Sequence, residues 1–208
     1  MRARAHCHCV LTTSHARGWA LIKHSVWICL CLVIIAGANG LLAQDVAEPK
    51  TVSEALDHYV IGPERACLAL ARAMPEDRYN FVPTNGEFKG VRSFALLVKH
   101  IAADNYLNGA ALLGEKPPID SGLHENGPDS VQTKEQILKM LANSFLYLHR
   151  AMRKVNDKNL METVDYPGGG RVTRLAVVTS ALAHPMDIYG QMIEYLRMNG
   201  IDPQKLPG

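Results

Sequence analysis

Between residues 51 and 198, apolar positions recur at spacings of three and four in four stretches separated by turn-rich links. That is the pattern of helices with one buried face. The first stretch opens on Thr51-Val-Ser-Glu54, a capping-box pattern in which each of the two side chains can satisfy an amide of the first turn. It runs to about 74, where Pro75 stops it. The link 75–90 carries two prolines and two glycines.

The second helix is expected from about 91 to 113, with Phe94, Leu97, Val98, Ile101 and Tyr106 on its buried side. A long link, 114–132, follows with three prolines and three glycines. Thr133-Lys-Glu-Gln136 repeats the capping box and starts a third helix running to about 155. Its buried face is Ile137, Leu141, Phe145, Leu148 and Met152. The fourth helix is expected over 172–198, with Asn199-Gly200 as a left-handed stop and Pro185 predicting a kink near 181–184. No alternating stretch of useful length signals a strand, and no repeat is present. Four such helices pack most simply as one all-α four-helix bundle.

The first 43 residues have a different composition. Val26 to Ala36 is an apolar run of eleven residues preceded by Lys23 and followed by small residues. These are the ordered parts of a secretory signal, and cleavage after Ala43 fits best. The run falls short of the ~20 residues of a spanning helix; the competing reading is an uncleaved membrane anchor. The region before the run is long for a signal, as an over-long start would make it, and its His6-Cys7-His8-Cys9 tetrad lies in a segment destined for removal. The expected organisation is a signal peptide over 1–43 and a bundle over 44–208, exported to a periplasmic or extracellular space.

Charge and cysteine content follow the same division. The whole chain carries a formal +2, but residues 1–43 hold four basic side chains and no acid, so residues 44–208 have 18 basic and 20 acidic groups, a formal −2. A body without a basic run has no electrostatic footprint for nucleic acid. Only Cys67 lies beyond residue 43; it falls on the apolar side of the first helix, where a buried inert thiol is expected.

Five histidines remain in the body: His58, His100, His124, His149 and His184. His124 lies in the long polar link, and His58 and His149 have charged neighbours that suit partly exposed positions. His100 and His184 each sit inside a strongly apolar helical stretch, where a hydrogen-bonded core role competes with a metal-binding one.

The segments Ser93-Phe-Ala-Leu-Leu-Val-Lys-His100-Ile-Ala-Ala-Asp-Asn-Tyr106 and His184-Pro-Met-Asp-Ile-Tyr-Gly-Gln191, continuing to Pro203, resemble the second and fourth helices of the DinB-like family. The likeness spans about residues 51–205 and is similar to exported members in particular. It implies a four-helix bundle holding a divalent metal (zinc, nickel, manganese or iron) through one histidine on the second helix and a His-x-x-x-His pair on the fourth. His100 and His184 match two of those positions; the third is Ile188, which has no lone pair. Asp104, four residues after His100, shares its helix face and is the candidate replacement ligand; its alternative role is a polar residue at the bundle rim. Asp187, about 100° away around the helix, is less suited and reads as a solvated acid. Tyr189 and Gln191 follow the motif as bundle- or pocket-lining residues.

The resemblance implies a metal-dependent hydrolase or a transferase of small thiols, acting on a small-molecule substrate of unknown identity. Ile188 supports a competing reading, a metal-free binding or scaffolding module. A homodimer whose partner completes the site is a third.

Overall fold

The computed structural model describes residues 48–167 and 169–206, so the expected signal segment over 1–43 lies outside the described residues. Four long helices dominate: α1 (Val52–Ala73), α2 (Phe94–Leu113), α3 (Lys134–Met152) and α4 (Arg174–Met198). Both capping boxes form. Thr51 accepts from Glu54 N and Thr133 from Gln136 N, while the Glu54 and Gln136 side chains return to the cap amides. Among the described residues no helix is long and apolar enough to cross a membrane.

Cross-helix contacts fix the order and direction of packing. Each of α1 and α2 packs against both α3 and α4. Cys67 Sγ meets the Pro185 carbonyl and Arg78 reaches Asn199, so α1 runs parallel to α4. His149 meets Asp57 while Lys134 reaches the carbonyls of Arg72 and Met74, so α3 runs antiparallel to α1. Asn105 bonds to Ser144, and the Tyr147 ring lies against Gly109, placing α2 parallel to α3. At Gly109 a Cβ would stand 2.6 Å from that ring, so glycine is what admits the close approach.

The core is a single cluster built from all four helices, with Phe94, Phe145, Leu97, Ile101, Leu141, Leu148, Met152 and Met192 among its fully buried members. Helix α2 is buried nearly all round, because the link after it folds back over its outer face. Cys67 is buried, and burial raises its thiol pKa to about 12, which keeps it an inert core residue.

Two expectations are corrected. Helix α2 begins at Phe94 behind the Ser93 cap, and α3 ends at Met152. The all-α expectation missed a small antiparallel hairpin of β1 (Thr163–Asp165) and β2 (Arg171–Thr173), in register Thr163↔Thr173 and Asp165↔Arg171. Three residues a side are too few for alternation to show in sequence. Helix α4 runs from Arg174 to Met198 with Pro185 in its interior, and α1 likewise carries Pro63.

Candidate functional site

Helices α2 and α4 bring His100 and His184 together across their seam. The two Nε2 atoms are 3.0 Å apart and the rings meet edge to face. His100 Nδ1 lies 2.9 Å from the backbone carbonyl of Glu125. A carbonyl only accepts, so Nδ1 carries the proton and Nε2 of the neutral ring presents a lone pair toward His184. Burial is the main cause holding His100 below the ordinary imidazole pKa, reinforced by the charges of Arg92 and His184 and opposed by the Glu125 carbonyl and carboxylate. The neutral, metal-competent form is therefore favoured.

The carbonyl that fixes His100 belongs to a strap over residues 121–128. Arg92 Nε donates to Asn126 Oδ1 at 2.7 Å, Arg92 Nη2 to the His124 carbonyl at 2.8 Å, and Lys99 Nζ to the Pro128 carbonyl at 2.8 Å. The strap closes on itself through Gly127 N to Ser121 O at 2.7 Å. Gly122 and Gly127 adopt left-handed backbone, and a Cβ on Gly122 would run into the Gly127 carbonyl. His124 and Glu125 are also left-handed, at φ 55° and 57°, although neither is glycine.

Asp104 lies one turn along α2 and is only 9% exposed, so the bundle-rim role does not describe it. Its Oδ2 accepts from Asn108 Nδ2 at 2.7 Å. Burial raises its pKa to about 6, against the opposing charge of His184 and the Asn108 bond, with Glu125 raising it further. Next to it Asn105, fully buried, donates to Ser144 Oγ at 3.1 Å, and Ser144 donates to the Leu141 carbonyl. The Oδ1 atoms of Asn105 and Asn108 have no hydrogen-bond partner.

At the third motif position Ile188 is 2% exposed and packed in the core. Asp187 faces solvent and accepts from Gln191 at 3.4 Å. Tyr189 is half-buried against the core, whereas Gln191 is exposed rather than pocket-lining. Among the described residues no group of three His, Cys, Asp or Glu side chains converges to hold an ion. The structure thus joins His100 to His184 and leaves Asp104 beside them, engaged by Asn108.

The other histidines have separate environments. His58 and His124 are exposed. His149 is clasped between Asp57 Oδ1 at 2.7 Å and Glu64 Oε2 at 3.2 Å, with Arg153 bonded to Asp57 at 2.9 Å. Residue-by-residue reading did not find this clasp, because its members lie about ninety positions apart. Nor did it find Arg92 and Glu125, which no spacing within one helix links to His100; for Asn108 the four-residue spacing from Asp104 was the available signal.

The helical bundle with a histidine pair on its inner seam defines the class of protein. Residues 64–192 match the family model described as the DinB superfamily, and the chain belongs to that superfamily. Among solved structures it is similar to a DinB-like protein from Bacillus subtilis, at 19% identity and a TM-score of 0.56, over 74% of this chain and 96% of that one. It is also similar to a DinB-like protein from Bacillus cereus, at 14% identity and a TM-score of 0.58, over 76% and 97%. At those identities the two structures speak for the fold alone. No curated protein matches the chain.

Proposed function

We propose that this protein is an exported divalent-metal bundle in which His100 and His184 grip one ion and leave other coordination positions open to a small-molecule substrate. The supporting observation is the 3.0 Å approach of the two Nε2 atoms, with His100 oriented from behind by the Glu125 carbonyl. Two imidazole nitrogens each ~2.0–2.1 Å from one ion stand about 3 Å apart, and ligating histidines usually donate their other N–H to a carbonyl or carboxylate. Such an ion polarises a substrate or activates water or a thiol, which suits hydrolysis or small-thiol transfer. Asp104 supplies a buried negative charge beside the pair. Export rests on the sequence pattern of residues 1–43.

A second reading is favoured by one specific residue. Ile188 fills the third ligand position with a buried branched side chain, which suits a metal-free module in which His184 Nε2–H donates to His100. One measurement separates the two. The protein, purified without a histidine tag, is assayed for bound metal by elemental mass spectrometry beside His100→Ala and Ile188→His. Near one ion per chain, lost in His100→Ala, supports the metal reading. An empty wild type with an Ile188→His variant that acquires an ion means the bundle kept the geometry and lost the chemistry.

A further inference from the structure

Catalytic ions of this kind take three protein donors and keep a position open. Helices α2 and α4 supply two. Ile188 offers no lone pair, Asp187 is turned out to Gln191, and one Asp104 oxygen is tied to Asn108. The remaining neighbour is the strap. Its residue 125 already touches the site, since the Glu125 carbonyl lies 2.9 Å from His100 Nδ1.

The Glu125 side chain has three relevant properties. It is exposed, and among the described residues it makes no hydrogen bond or ion pair, so no competing partner holds it. Its negative charge bears on both His100 and Asp104. Its backbone is left-handed at φ 57°, directly after His124 at φ 55°. Two successive non-glycine residues in that region cost roughly 1–2 kcal/mol each and persist only where surrounding contacts hold them. Here Arg92 and Lys99 do so through the strap carbonyls.

We propose that Glu125 is the third metal ligand, swinging its carboxylate onto an ion held by His100 and His184 and replacing the histidine that Ile188 displaced. The inference rests on the metal reading above and makes the donor set two histidines and one glutamate, which suits zinc, ferrous iron or manganese. The ligand comes from the strap rather than from α4, so one segment both orients His100 and completes the site.

Cobalt(II) is the probe, added to the purified untagged protein and followed by equilibrium dialysis and visible absorption. Wild type is expected to bind about one Co²⁺, Glu125→Gln to bind at least about tenfold more weakly with altered d–d bands, and Glu125→His to recover binding. His124→Ala is expected to stay within about threefold of wild type and Asp104→Asn to weaken binding less than Glu125→Gln does, and circular dichroism checks that every variant is folded. Glu125→Gln binding Co²⁺ like wild type overturns this inference alone, as does a loss confined to Asp104→Asn or His124→Ala. A wild type that takes up no Co²⁺ in excess overturns the metal reading together with it.

Discussion

Two interhelical seams each hold a histidine, and their surroundings differ in the way that matters for chemistry. On the α1–α3 seam both nitrogens of His149 face carboxylate oxygens, Asp57 on one side and Glu64 on the other, and Arg153 locks Asp57. That ring is fully engaged and ties two helices together. On the α2–α4 seam His100 is held at one nitrogen by a backbone carbonyl, while its other nitrogen meets only a second imidazole. An imidazole is a replaceable partner: His100 can turn its Nε2 lone pair to a metal ion, and His184 can do the same once its Nε2 proton moves to Nδ1. Saturation by fixed charges makes a clasp, whereas a neutral, half-satisfied pair leaves capacity for a ligand. Most of the buried polar side chains follow the same division: among the described residues Lys99, His100, Asp104, Asn105 and Asn108 lie on α2, and Ser144 on α3 bonds to Asn105.

The largest expected effect tests the burial of the α2 seam. Asp104 has a folded pKa of about 6 against an ordinary 3.8. Below pH ~4 both folded and unfolded states hold the proton, and the stabilising difference is fully present. It is lost as pH rises through about 6, a decline worth about 3 kcal/mol. Urea unfolding across pH 3.5–7.5 should show that decline in wild type and lose it in Asp104→Asn; equal slopes in the two proteins would remove the argument for a buried carboxyl.

Next comes the clasp. His149→Ala removes the ring held between Asp57 and Glu64, leaving Asp57 to Arg153, and should cost about 2 kcal/mol in unfolding free energy, given that all three side chains are partly exposed. Its metal content should equal wild type, in contrast to His100→Ala. Equal metal loss in both variants would erase the distinction between the seams.

A smaller effect is expected at Gly127, where φ is +71° and a Cβ would stand 2.8 Å from Met140 Cε. Gly127→Ala should cost about 1 kcal/mol and disturb the strap. Long-range proton–nitrogen NMR should then show His100 departing from the Nδ1–H form, with His149 unchanged. The smallest effect belongs to Arg150, whose ion pair with Glu115 at 2.8 Å is half-exposed. Arg150→Ala should change stability by less than about 1 kcal/mol on a thermal melt and leave both seams intact.

Much of this was present in the chain before folding. Helix number, the two capping boxes, the inert Cys67 and the burial of His100 follow from local rules: spacing by three and four, cap chemistry and stop residues act over a few positions. The family likeness then singled out His100, His184 and the anomaly at Ile188. The β1–β2 hairpin escaped notice because three-residue strands carry almost no periodic signal. Asp104 was open to two readings in sequence, since a helix carboxylate reads the same whether it faces water or a core.

What only the tertiary structure decided is which distant residues share a site. Glu125 reaches His100 from twenty-five positions away, and Asp57 reaches His149 from ninety-two. Such pairings depend on how the helices cross and how the strap folds back, and no periodicity within a single element encodes them. The sequence determined which side chains turn inward; packing determined what each of them meets there.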